Sequence, residues 1–115
     1  MNELGSLMQS LRLFAEERDW EQFHSPKNLA TALAVEASEI LEHFQWLTES
    51  ESASLAADKK RQVGEEISDV FLYLLRLSDK LGIDLLNEAE RKIKANALKY
   101  PVEKSKGKST KYTDL

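Results

Sequence analysis

An all-α fold, a four-helix bundle completed by subunit association, is what this sequence predicts. Three observations carry that reading. Glycine and proline number only 4 and 2 in 115 residues. No window alternates β-branched and polar residues as a strand would. Apolar residues instead recur with the helical period, and start and stop signals cut the pattern into four segments with short connections.

The first segment runs from Glu3 to Asp19, with Leu4, Leu7, Met8, Leu11, Phe14 and Ala15 on one face. Trp20 to His24 breaks the period. Ser25-Pro26 then reads as an N-cap followed by the first helical residue, where proline's missing N–H costs nothing. This second helix should reach about Leu47. The Ser/Glu-rich stretch from Thr48 to Ala57 reads as a loop or weak helix. A third helix follows from Asp58 to Leu81, with Gly82 suited to a left-handed C′ position. Asp84 caps a fourth helix that Tyr100-Pro101 ends, because the residue before a proline is disfavoured in helix. The expected organisation is a domain over residues 1–103 and a basic tail over 104–115.

A chain of 115 residues suggests one domain with a poor surface-to-volume ratio, which association would relieve. The absence of cysteine excludes disulfides and thiolate metal sites. The stretch from Met1 to Gln9 has no basic segment followed by an apolar one, so no signal peptide is expected. Apolar runs fall well short of the ~20 residues of a membrane span. A cytoplasmic protein is therefore expected. Net charge is −4, but from Arg91 onward eight basic residues face two acidic ones, leaving a strongly acidic body. Such a body argues against a nucleic acid polymer as partner. The basic tail is either a solvated end or a cluster that meets something anionic.

Four carboxylates resist a packing explanation. On the second helix the stripe Leu29, Leu33, Ile40, Phe44, Leu47 is interrupted by Glu36, and Glu39 stands one turn further on. On the third helix Glu66 and Asp69 repeat the spacing beside Val70, Tyr73 and Leu77. An unpaired carboxylate turned inward either protonates or finds a cation. Between Leu29 and Leu47 there is no Lys or Arg, and Arg76 lies two turns beyond Asp69 on a different part of the face. Convergent acids without a resident base call for a metal, and oxygen-only donors suit Mg²⁺, with Mn²⁺ also possible, better than Zn²⁺. A bundle di-iron site would need two Glu-x-x-His pairs. Only Glu21-x-x-His24 is present, at a helix boundary, and Ile40 precedes His43 by three.

The segments Glu36-Ala37-Ser38-Glu39 and Glu66-Ile67-Ser68-Asp69 resemble the signature of the MazG-like all-α nucleoside triphosphate pyrophosphohydrolases. Arg18 through Pro26, Phe44-Gln45-Trp46, Glu65 through Val70, Tyr73-Leu74, Lys99-Tyr100-Pro101 and Lys111-Tyr112-Thr113 look most like the dCTP pyrophosphatase branch. The resemblance runs from about Leu11 to the last residue, and the 48–57 spacer is its least characteristic part. It implies Mg²⁺-dependent cleavage of a (deoxy)nucleoside triphosphate, dCTP or a modified dCTP, between the α and β phosphates, to clear unwanted nucleotides. It also implies a homotetramer, a dimer of dimers, with sites formed from paired subunits. The four acids would hold the metal, and Trp20, His24, Trp46, Tyr73 and Asn96 would shape the nucleotide pocket.

Beside that resemblance, anhydride hydrolysis needs positioning and charge neutralisation. One of the four acids, or Glu42 or Glu65, would orient the attacking water. Lys92, Lys99 and Lys111 are candidates to meet the phosphates, Lys111 from a tail that could close over the site. Trp20 and His24 sit in a helix break, where an aromatic pair suits base stacking. Trp20, Phe23, Trp46 and Tyr73 are equally readable as core or subunit contact. His24 suits a phosphate contact or a helix-end hydrogen bond as well. Asn96 reads either as a base-edge contact or as a cap, and His43 as a partly exposed structural residue. The rival functions are a non-catalytic nucleotide sensor of the same fold and a helical interaction domain with exposed acids.

Overall fold

The computed structural model describes residues 2–115, so Met1, the first residue of the expected domain, lies outside the described residues. The protein is all-α, with no strand among the described residues. Its helices are α1 (Glu3–Glu17), α2 (Pro26–Phe44), α3 (Glu49–Ser52), α4 (Ala57–Leu81), α5 (Leu85–Lys99) and α6 (Val102–Ser105). Short 3₁₀ turns stand at Glu21–Phe23 and Tyr112–Asp114. The four long helices are those anticipated, and none of the described helices is long and apolar enough to cross a membrane.

Where the ends differ from expectation, hydrogen bonds explain why. α1 stops at Glu17 because Asp19 takes a left-handed conformation, φ 54°. The Asp19 N–H then reaches the Glu16 carbonyl at 3.1 Å and the Trp20 N–H reaches Ala15 at 2.8 Å. This is a Schellman stop with aspartate where glycine or asparagine is usual. α2 starts as expected: the Ser25 hydroxyl accepts the Asn28 N–H at 3.1 Å and Pro26 opens the first turn. It ends three residues early, with the Leu47 N–H turning back to Phe44 at 2.9 Å. The Ser/Glu-rich stretch contains a single turn of helix closed by a capping box between Thr48 and Glu51. Gly82, φ 67°, ends α4 as anticipated.

The chain divides into two compact units, the first ending at Gly82 and the second spanning Ile83–Leu115. Within the first, α2 packs along α4, and α1 lies against α4. Ala15 of α1, Leu29 of α2, and Val63 and Leu75 of α4 are its buried apolar residues. Burial of each leucine contributes about 2 kcal/mol. An Arg12–Asp79 pair clasps α1 to α4, with Nε donating to Oδ2 at 2.7 Å.

In the second unit, Asp84 caps α5 by accepting the Asn87 N–H at 3.2 Å. The basic tail expected from Lys104 begins inside a helical turn, α6, whose N-cap is Pro101. Further on, the Tyr112 ring meets Tyr100 edge-on at 5.9 Å, and Lys99 Nζ lies 4.8 Å above it. These contacts hold the last turn, and neither the periodicity nor the lysine-rich composition signals them.

Candidate metal centre and adjoining pocket

The packing of α2 on α4 makes the candidate site. Glu36 and Glu39 lie one turn apart on α2, and Glu66 faces them from α4. One carboxylate oxygen of each lies within 4.8 Å of the others, and all three side chains are half-buried. Asp69 is more exposed and stands at the margin of the trio, close enough for its charge to act on Glu36 and Glu66.

Electrostatics match this crowding. Burial, a hydrogen bond with Glu39, and the charges of Glu39, Asp69 and Glu66 raise Glu36 above the usual carboxylate range. A hydrogen bond with Glu39, burial, and the charges of Glu39 and Asp69 raise Glu66, while His43 pulls it the other way. His43 Nε2 lies 3.9 Å from Glu66, and the imidazole is half-buried. Among the described residues no Lys or Arg pairs with any of the four acids. Like charges this close favour protonation or a shared cation. The donor set, oxygen only and more negative than one histidine can offset, fits a hard divalent ion.

Beside the acids lies a pocket of ≈ 230 Å³, lined by Leu11, Phe14, Trp20, His24, Asp69, Leu72, Tyr73 and Arg76. Drug-sized ligand pockets start at ~300 Å³, so this one suits a single ring system better than a whole nucleotide. Trp20 stands edge-on to Phe14 at 5.5 Å and to His24 at 6.3 Å. Asp69 belongs both to this wall and to the acidic group, which puts the pocket mouth next to the cluster.

Of the residues singled out from sequence, the first unit thus brings together Glu36, Glu39, Glu66, Asp69, Trp20, His24 and Tyr73. Trp46 is 86% exposed beyond the end of α2 and does not line this pocket. Asn96, Lys99 and Lys111 belong to the second unit. There the Asn96 carbonyl accepts the Tyr100 N–H at 2.9 Å, and Lys111 is the residue before the last 3₁₀ turn.

Sequence reasoning set Arg76 on a different part of the face from Asp69 and gave it no role, but seven helical residues fall close to two full turns, and both residues line this pocket. The Arg76 guanidinium is buried, donates to Glu21 and to Asp79, and gives its Nε–H to His24 Nδ1 at 3.2 Å. Lys80 also pairs with Glu21. Lys80 foremost, then Arg76, hold Glu21 below the usual carboxylate range, and Arg12 does the same for Asp79. The available signal was a cation inside the apolar run Leu74-Leu75-Arg76-Leu77, which demanded acids nearby.

The sequence model of the MazG-like family matches residues 31–115. The chain is 44% identical over 104 residues to dCTP pyrophosphatase 1 of Rattus norvegicus and 40% identical to that of Homo sapiens. Each match covers 89% of this chain but only 61% of the relative's length. Among solved structures, a pyrophosphatase from Archaeoglobus fulgidus superposes with a TM-score of 0.71 at 35% identity, covering 88% of this chain and 94% of that one.

Proposed function

This chain belongs to the MazG-like family, and on that premise we propose that it hydrolyses a (deoxy)nucleoside triphosphate, dCTP or a modified dCTP, to the monophosphate and pyrophosphate. The observation that carries the reading is the convergence of Glu36, Glu39 and Glu66, with Asp69 shared between that group and an aromatic pocket. The names of its relatives, dCTP pyrophosphatase 1 and a pyrophosphatase, support it.

Glu36, Glu39, Glu66 and Asp69 would hold Mg²⁺, or Mn²⁺ in its place. Bound there, the ion would neutralise phosphate charge and make water more acidic. The chain's own groups do the rest. Trp20 and Tyr73 flank the base and His24 offers a ring nitrogen to it. Water attacks phosphorus, the bridging P–O bond breaks toward pyrophosphate, and the water's proton passes to a carboxylate. Glu42 and Glu65 are exposed and Glu65 faces Arg61, so the cluster itself is better placed for that proton. His43 steadies Glu66. On the resemblance and the sequence alone, we propose Lys92, Lys99 and Lys111 for the phosphates and Asn96 for the base.

We further propose a homotetramer built as a dimer of dimers. Val35, Leu41, Ile67, Phe71 and Leu74 are all at least 39% exposed on the two helices that carry the acids. Covering such faces removes apolar surface from water and favours association. Trp46 would then complete a site across the subunit boundary. A nucleotide-clearing role would place the activity in the cytoplasm.

The test is a panel of nucleoside triphosphates with Mg²⁺, with products separated by anion exchange. Monophosphate and pyrophosphate in equal amounts, greatest for dCTP or its modified forms, are expected. Tight dCTP binding without pyrophosphate release would replace the hydrolase with a nucleotide sensor.

A further inference from the structure

Arg76 is 5% exposed in an apolar stretch of α4, yet its guanidinium reaches the wall of the pocket. Glu21 and Asp79 accept from its terminal nitrogens, and His24 Nδ1 accepts from Nε at 3.2 Å. Both acids are themselves held, Glu21 by Lys80 and Asp79 by Arg12, so the guanidinium is clamped. Arginine donates through all its nitrogens and accepts through none. The imidazole nitrogen it meets must therefore present a lone pair. A neutral ring with a lone pair on Nδ1 carries its proton on Nε2.

We propose that Arg76 is a positioning residue that fixes His24 as an Nε2–H donor, and that this donor makes the pocket select a base with a ring acceptor. Cytosine offers such an acceptor at N3, where uracil and thymine carry an N–H. The selectivity rests on the reading of this pocket as the base site; the tautomer does not. Burial first, then the charges of Arg76 and Lys80, depress protonation of His24, with Glu21 opposing, which keeps the ring neutral. A freely turning histidine could present either nitrogen form and would discriminate poorly. A clamped one cannot, because the alternative tautomer would set two N–H groups against each other.

The experiment starts on the ¹⁵N-labelled full chain without nucleotide, using two-bond ¹H–¹⁵N spectra of its 2 histidines. The His24 signals are those lost in His24→Gln. The expected result is an unprotonated Nδ1 and a protonated Nε2, with a tautomer mixture in Arg76→Lys, which keeps the charge but loses the Nε–H. A proton on Nδ1 of the wild-type ring would overturn the positioning, whatever the variants do. In turnover assays Arg76→Lys should lower the ratio of kcat/KM for dCTP over dUTP by about tenfold, the worth of one discriminating hydrogen bond, mainly through KM. An unchanged ratio would overturn the selectivity. A wild-type chain that cleaves neither nucleotide would overturn the hydrolase reading alone, and the spectra would still decide the tautomer.

Discussion

Glu36 of α2 and Glu66 of α4 approach so closely that a carboxylate oxygen of one lies within 4.8 Å of one from the other. Neither has a Lys or Arg partner among the described residues. Exchanging Glu36 for Gln removes a charge from a crowded site. It should therefore raise the melting temperature of the metal-free chain while cutting Mg²⁺-dependent turnover by about a hundredfold or more. Calorimetry in chelator, paired with a pyrophosphate-release assay, reads both. A variant that loses stability in chelator would show that the cluster is not self-repelling.

The same repulsion makes stability depend on pH, with a definite sign. Glu36 and Glu66 have folded pKa values above the ordinary one. Between the ordinary and the raised values the folded chain binds more protons than the unfolded chain, so stability falls as pH rises through that window. Glu21 and Asp79 are shifted downward, so their contribution is present above the ordinary carboxylate value and is lost as pH falls through the lowered ones. Without metal, the melting temperature should peak on the acid side of neutrality; saturating Mg²⁺ should move the peak toward neutral pH. Coincident melting curves in chelator and in Mg²⁺ across that range would count against the metal assignment.

Asp79 receives both Arg12 and the buried Arg76. Asp79→Asn leaves the guanidinium of Arg76 with Glu21 as its remaining acid and weakens the clasp between α1 and α4. A loss of about 2 kcal/mol in urea unfolding is expected. If stability changes by less than measurement error, the network is decorative.

Leu75 is fully buried where α4 meets its neighbours. Leu75→Ala should cost about 3 kcal/mol by transfer and cavity formation together, again by urea unfolding. The acids lie on other positions of the helix, so residual Mg²⁺ binding at low temperature should survive.

Phe71 is 40% exposed on the helix that carries Glu66 and Asp69. Phe71→Glu should shift the assembly toward smaller species in sedimentation equilibrium. A monomeric wild-type chain at micromolar concentration would remove the basis for the proposed tetramer.

What could be read in advance follows from what is local. Helix starts at Ser25 and Asp84 and the stop at Gly82 depend on residues within a few positions, and all were legible. The acid pairs were legible because a helical spacing puts Glu36 near Glu39 and Glu66 near Asp69, and because each pair breaks an apolar stripe. The end of α1 was legible to within two residues, because the period breaks at Trp20, but the left-handed turn at Asp19 was not, since aspartate rarely takes that conformation. The Arg76 network was hidden for a different reason. Glu21 and Arg76 lie far apart in sequence, and only the docking of the turn after α1 onto α4 brings them together. The fold of the last residues escaped because the Tyr100–Tyr112 contact is a tertiary event within a stretch whose composition looks solvated.

The left-handed aspartate that ends α1 has a wider consequence. It hands the chain directly to Trp20 and His24, so one wall of the cavity hangs from a short irregular bridge, while the acids ride on two long rigid rods. Changes of length or residue in that bridge would reshape the cavity wall while leaving the acidic cluster on α2 and α4 in place. A lineage or an engineer could thus alter diet and leave digestion intact.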